Sequence, residues 1–210
     1  GHEAGAALAM HMDVDCIGFT GSTRTGRAIL RMAAESNMKR AWTELGGKSA
    51  NIVCADCPDL DAAVSAAIGS IYFNQGESCN APSRLFVEAS IKDAFIEKAL
   101  AMIPRYAPGD PLDEDTIMGA IVDDAQMKTV MGYIEAGKAG GAKLLAGGEA
   151  VRLDSGGYYV APTLFDKVDN DMRIAQEEIF GPVLSVLTFT DVNDAVRQAN
   201  ATPYGLAAGV

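Results

Sequence analysis

From residue 51 the chain reads Asn51-Ile52-Val53-Cys54, then Asp59-Leu60-Asp61-Ala62-Ala63-Val64-Ser65-Ala66-Ala67-Ile68-Gly69-Ser70-Ile71-Tyr72, then Phe73-Asn74-Gln75-Gly76-Glu77-Ser78-Cys79-Asn80-Ala81-Pro82-Ser83, and then Arg84-Leu85-Phe86-Val87. The outer runs are short, apolar and rich in β-formers, as strands are. Between them Asp59 caps a helix that carries Leu60, Ala63, Val64, Ala67, Ile68, Ile71 and Tyr72 on one face. That helix is largely apolar, so it is read as buried, delivering the Cys79 loop from the interior.

The same alternation continues in both directions. Upstream, Cys16–Thr20 reads as a strand ending at Gly21, and Ser22 or Thr23 caps a helix with apolar Ile29, Leu30 and Ala33 that stops near Ser36-Asn37. Ala41–Leu45 is a further strand, closed by Gly46-Gly47. Downstream, a helix is expected from Ile91 to about Tyr106, a loop at Pro108-Gly109-Asp110-Pro111, and another helix from about Asp123 to Lys138. Strands follow near Lys143–Ala146, Tyr158–Phe165, Pro182–Phe189 and Leu206–Val210, with helices near Asp171–Glu177 and Asp191–Asn200. Strands alternating with helices predict an α/β protein with mostly parallel sheets.

With 28 acidic against 17 basic residues the net charge is −11, which argues against nucleic acid as a partner. No apolar run reaches membrane-spanning length and no signal-peptide pattern opens the chain. Gly1-His2-Glu3 lacks an initiator Met and the last residues are strand-like, which predicts a piece of a longer protein. The four cysteines, 16, 54, 57 and 79, lack the density of a secreted disulfide scaffold, so a reducing cytoplasm is the default. Cys54-Ala55-Asp56-Cys57 matches C-x-x-C without a second pair for zinc and is read as packing at a strand end. With only His2 and His11, a histidine-rich metal site and a Cys-His dyad are not expected, and no metal is assigned.

Cys79 sits in a polar, Gly-containing loop, the setting a nucleophilic thiol needs for access by an electrophile. Glu44, ahead of the tight Gly46-Gly47 turn, is the candidate general base. Gly21-Ser22-Thr23-Arg24-Thr25-Gly26 follows a strand and opens a helix, which offers free N–H groups to a phosphate. It lacks the Lys-Ser/Thr of a Walker A loop and the middle glycine of G-x-G-x-x-G, and an ordinary capped turn would look the same. Glu177-Glu178, ahead of Ile179-Phe180-Gly181-Pro182, places two acids where they oppose a helix dipole, a cost that a ligand contact would explain.

Six segments in order resemble the aldehyde dehydrogenase superfamily: Phe19-Thr20-Gly21-Ser22-Thr23, Glu44-Leu45-Gly46-Gly47-Lys48, Asn74-Gln75-Gly76 with Cys79, Gly109-Asp110-Pro111, Glu178-Ile179-Phe180-Gly181-Pro182 and Tyr204-Gly205-Leu206. Finer features, among them Ser36-Asn37-Met38-Lys39-Arg40 and Lys48–Val53 leading to Asp56-Cys57-Pro58-Asp59-Leu60, are most similar to gamma-glutamyl-gamma-aminobutyraldehyde dehydrogenases of putrescine breakdown. The resemblance implies an aldehyde dehydrogenase-like α/β fold. Residues 1–46 would end a Rossmann-like NAD domain, 47–210 would form most of the catalytic domain, and the active site would lie between them.

The resemblance also implies roles. Cys79 would attack the aldehyde and pass through a thiohemiacetal and a thioester, with its own N–H in the oxyanion hole, and Glu44 would activate the hydrolytic water. Gly21, Ser22, Thr23 and Gly26 would lie on the pyrophosphate of NAD (NADP is the alternative). Leu45 would face the nicotinamide amide, Glu178 would bind the nicotinamide ribose, and Phe180 would pack nearby. The partner is a small-molecule aldehyde, and the parent would be a homodimer or homotetramer. An oxyanion asparagine and a ribose-binding lysine would precede residue 1, so the isolated 210-residue piece is expected to be inactive. A cofactor-independent thiol esterase or acyltransferase, a general aliphatic aldehyde dehydrogenase, and a non-catalytic relative are the competing readings.

Overall fold

In the computed structural model, which describes residues 1–210, the chain divides into two units, Gly1–Gly46 and Gly47–Val210. The first unit opens with helix α1 (His2–Met10), which the sequence reading did not anticipate because no clear apolar stripe marks it. Strand β1 (Cys16–Thr20) and strand β2 (Arg40–Glu44) pair in parallel from Cys16↔Arg40 to Thr20↔Glu44. Helix α2 (Thr23–Glu35) joins them, with Ser22 as its cap and Ile29 and Ala33 buried. Leu30, expected on the inner face, is 45% exposed, because it falls one step round the helix from Ile29. Buried Lys39 ties the unit together by donating to Ala9 O (2.6 Å) and Ser36 Oγ (2.6 Å).

The second unit is built on a six-stranded sheet. Its members are β3 (Ala50–Val53), β4 (Arg84–Glu88), β5 (Lys143–Ala146), β8 (Thr163–Asp166), β9 (Val183–Phe189) and β10 (Ala208–Gly209), in the order β10-β3-β4-β9-β8-β5. Only the β5 pairing is antiparallel. Residues of the central strands alternate between two cores, as the two-residue period of a strand requires. Phe86, Val183 and Leu187 face one core with α5 (Asp124–Ala139), α6 (Arg173–Gln176) and α7 (Val192–Ala199). Leu85, Val87, Leu184 and Val186 face the other with α3 (Leu60–Tyr72) and α4 (Lys92–Met102). Truncating Phe86, fully buried, is expected to cost about 3–5 kcal/mol.

Three expected elements differ. The helix from Ile91 to Tyr106 becomes α4 plus a 3-10 turn over Ile103–Tyr106, because Pro104 cannot continue the α-helical ladder. The strand expected over Tyr158–Phe165 splits at Pro162 into β7 (Tyr159–Val160) and β8. The first of these pairs with β6 (Ala150–Val151) in a small separate hairpin. Of Leu206–Val210 only Ala208–Gly209 pairs. Helix α3 follows the expected pattern, with Asp59 accepting from Ala62 N and Val64, Ala67, Ile68, Ile71 and Tyr72 buried.

Candidate active site

Within the first unit, the expected cofactor residues and Glu44 meet at one end of the strand pair. Thr20 and Glu44 are register partners, and Gly21 N donates to Glu44 O (3.1 Å). Ser22 Oγ accepts from Thr25 N (3.2 Å), and Gly26 N donates to Ser22 O. The N–H groups of Thr23 and Arg24 then have no acceptor within the chain, so the turn offers donors suited to an anion. A side chain on Gly26 would run into the Leu45 side chain, so these two residues pack as a pair. The Glu44 carboxylate lies exposed at the last position of β2.

Within the second unit, three segments arrive at neighbouring strand ends. Ala50, Arg84 and Ser185 are aligned across β3, β4 and β9. The residues that precede those strands, Gly47–Ser49, Cys79–Ser83 and Glu178–Pro182, therefore lie side by side at the amino edge of the sheet. Open α/β sheets ordinarily bind ligands at the opposite, carboxyl edge. Two further hydrogen bonds extend the pairing past the strands, Arg84 N to Ser49 O (3.3 Å) and Ser185 N to Ser83 O (3.0 Å).

Gly47 is the joint of this arrangement. Its N–H donates to Glu178 Oε1 (3.1 Å). A Cβ at Gly47 would collide with the carbonyl oxygen of Cys79, so only glycine lets the two backbones approach this closely. Cys79 is a half-buried free thiol whose N–H donates to no carbonyl. The Glu178 carboxyl is pushed up from the ordinary range by burial, against which the Gly47 N–H and the Lys48 charge act. Its second oxygen has no donor, so the carboxylate retains capacity to accept from a hydroxyl.

The backbone around Cys79 is held in unusual conformations. Asn74 (φ 48°), Gln75 (φ 57°) and Gly76 (φ 71°) form a consecutive left-handed run, and each non-glycine member costs about 1 kcal/mol or more. Gly76 packs its Cα against the Gly181 carbonyl, where a Cβ would not fit. Gln75 Oε1 accepts from Gly119 N (3.1 Å) and Glu77 Oε1 from Val122 N (3.1 Å). Glu77, two residues before the thiol, thus spends its carboxylate on another segment, and burial raises its pKa. Phe180 is also left-handed (φ 56°). Gln126 Nε2 holds it there, donating to Ile179 O (2.9 Å) and Phe180 O (2.8 Å).

Glu177 and Glu178 prove to lie beyond the end of α6, so neither opposes its last turn. Glu177 accepts from Arg173 Nε (3.0 Å) and Tyr133 OH (2.7 Å), and its carboxyl is held below the ordinary range by those two groups. Arg84 is a participant whose role no local pattern in the sequence marks. All five of its N–H groups are engaged, Nε and Nη2 with Lys48 O (3.0 and 2.8 Å), Nη1 with Asn170 Oδ1 and Gln198 O, and Nη2 with Ala199 O. It thereby joins the Gly47-Lys48 turn to the carboxyl end of α7. Cys54 and Cys57 lie past the opposite edge of the sheet and pack against different cores. No group of three or more His, Cys, Asp or Glu side chains is arranged to hold a metal ion.

Residues 1–210 match the aldehyde dehydrogenase family. The NADP/NAD-dependent aldehyde dehydrogenase PuuC of Escherichia coli is 48% identical over all of this chain and 42% of its own length. A crystal structure of gamma-glutamyl-gamma-aminobutyraldehyde dehydrogenase from Burkholderia cenocepacia is 59% identical, with a TM-score of 0.97 over 99% of this chain and 42% of that one. A P. syringae indole-3-acetaldehyde dehydrogenase (AldA) mutant, solved with NAD+ and IAA, is 57% identical with a TM-score of 0.98 over the same shares. The chain spans about two-fifths of the length of the curated relatives it matches. With an α/β fold that superposes so fully, and a family match running from the first residue to the last, the chain belongs to the aldehyde dehydrogenase family.

Proposed function

We propose that the protein carrying this chain oxidises an aldehyde to the carboxylic acid with NAD+ or NADP+, using Cys79 as nucleophile and Glu44 as general base. The observation that carries the reading is the seat of Cys79, in a strained loop with its carbonyl against Gly47, whose N–H holds Glu178. The residues present fit a dinucleotide. In the Gly1–Gly46 unit the Gly21–Gly26 turn supplies unsatisfied N–H donors for the pyrophosphate, with Ser22 and Thr23 on it, and Leu45 would meet the nicotinamide amide. In the Gly47–Val210 unit, Glu178 has a free carboxylate oxygen for ribose hydroxyls, and Phe180 would pack beside it.

On this reading the Cys79 thiolate adds to the aldehyde carbon, forming a C–S bond and an oxyanion that the free Cys79 N–H stabilises. The bound dinucleotide supplies the hydride acceptor for the step from thiohemiacetal to thioester. Glu44 then takes a proton from water as that water attacks the thioester, the C–S bond breaks, and the acid leaves with Cys79 again a thiolate. The Gly1–Gly46 unit would be the end of the dinucleotide domain and the Gly47–Val210 unit most of the catalytic domain. An aminoaldehyde substrate is the narrower proposal. It is supported by the 59% identity to an enzyme named for gamma-glutamyl-gamma-aminobutyraldehyde.

The test is NADH formation by the full-length protein with a panel of aldehydes. Turnover that is fastest on an aminoaldehyde and falls by about 10³-fold or more in Cys79→Ala is expected. Glu44→Gln is expected to slow turnover about 10²- to 10⁴-fold while still allowing a single-turnover burst of NADH. Ester hydrolysis without any NADH would support a cofactor-independent thiol hydrolase instead.

A further inference from the structure

Lys48 is 2% exposed, and its Nζ, sealed from solvent, meets no hydrogen-bond acceptor. An ammonium in such a place is costly to keep, and burial pulls its pKa down to about 7. The groups that act on it can be named. Arg84, on β4, pushes in the same direction as burial, while Glu178 and Glu177, beyond α6, favour its charged form. Glu177 is already matched by Arg173 and Tyr133. Glu178 has only the Gly47 N–H as a donor and Lys48 as the cation that favours its ionised state. Amine and carboxylate are thus tied to the same dipeptide, since Gly47 binds Glu178 and Arg84 fixes Lys48 at its carbonyl.

We propose that Lys48 is a positioning residue, whose buried ammonium keeps Glu178 ionised and aligned as a hydroxyl acceptor for the dinucleotide ribose. This rests on the reading of the protein as a dinucleotide-dependent dehydrogenase. Lys48 touches neither substrate nor cofactor on this view and acts only through Glu178. Its influence is greatest below neutrality, where Lys48 is protonated and a carboxyl with a raised pKa most needs a counter-charge. It fades at alkaline pH, where Lys48 is neutral and Glu178 ionises unaided.

The experiment is calorimetric titration of the full-length protein with NAD+ in the absence of aldehyde, from pH 6 to pH 9, for wild type and Lys48→Met. NADH formation is measured in parallel. Met keeps the length and removes the charge. The variant is expected to bind NAD+ about 3- to 10-fold more weakly at pH 6 and within about 2-fold at pH 9. Its kcat at saturating NAD+ is expected to stay within about 3-fold of wild type. In a Glu178→Gln background the same substitution is expected to change nothing further. Equal affinity at pH 6, or a loss of the same factor at every pH, would show a packing role and overturn the assignment. A wild type that neither binds NAD+ nor reduces it would overturn the dehydrogenase reading itself, and the assignment with it. Lys48→Gln carries the same expected and overturning results if Met at this position fails to fold.

Discussion

The Gly21–Gly26 turn of the first unit lies open, with Gly21, Ser22, Arg24 and Thr25 exposed, whereas Gly47, Lys48 and Ser49 at the start of the second unit are all buried. The open turn satisfies itself through one short cap and leaves backbone donors free. In the buried turn, backbone groups are committed to neighbours, to Glu178 through Gly47 N, to Arg84 through Lys48 O and to the β4 backbone through Ser49 O. The contrast separates two kinds of glycine. At Gly21 an added side chain would press on the Phe19 ring, the movable end of a half-buried side chain. At Gly47 the chain needs an absence of atoms, because an added Cβ would meet the fixed Cys79 carbonyl beside the bond to Glu178.

Substitutions at the two turns should therefore differ in size and in kind. Gly47→Ala is expected to have the largest effect, because the new methyl displaces the Cys79 carbonyl and the Glu178 bond together. NADH turnover by the full-length protein should fall by about 10²-fold or more, as misplacement of reacting groups allows. Arg84→Met follows, leaving the carbonyls of Lys48 and Ala199 without their donor. It should lower unfolding free energy by about 2–4 kcal/mol in a denaturant titration.

Lys48→Met sharpens the comparison from the other side, since it should stabilise the fold while weakening dinucleotide binding. The Lys48 pKa is about 7 in the folded chain against an ordinary 10.5. The unfolded chain therefore binds more protons between those values, and wild-type stability rises with pH across that window. The variant should melt about 2–8 °C above wild type at pH 7 and below, a gain that closes as pH approaches 10.5. Ser22→Ala, in the open turn, should be mildest. A lost cap costs about 1 kcal/mol, read as a small shift in thermal midpoint and a few-fold change in NAD+ affinity.

Local pattern carried the α/β order, the α3 face and the Ser22 and Asp59 caps, because each depends on residues within a turn or two of one another. The same is true of Cys79, legible as a thiol in a polar Gly-containing loop. What local pattern could not carry is distance. Gly47 and Glu178 are 131 positions apart, and nothing in either neighbourhood encodes their bond. The double glycine was visible as a turn, but its reason, the Cys79 carbonyl, belongs to another segment. Lys48 and Arg84 stand in recognisable stretches of sequence, yet only packing shows one to be an unpaired buried amine and the other to have every N–H engaged. The strand expected over Tyr158–Phe165 failed for a related reason. Apolar continuity hid the change of pairing partner that Pro162 imposes.

The amino-edge placement of Gly47, Cys79 and Glu178 leaves the other rim of the sheet to a different use. The β4–α4 connection at Ala89-Ser90 is exposed and stands a full strand, about 17 Å, from the Cys79 end. A reporter peptide or a new pair of termini grafted there would leave the proposed chemistry undisturbed. That rim is where this scaffold can grow.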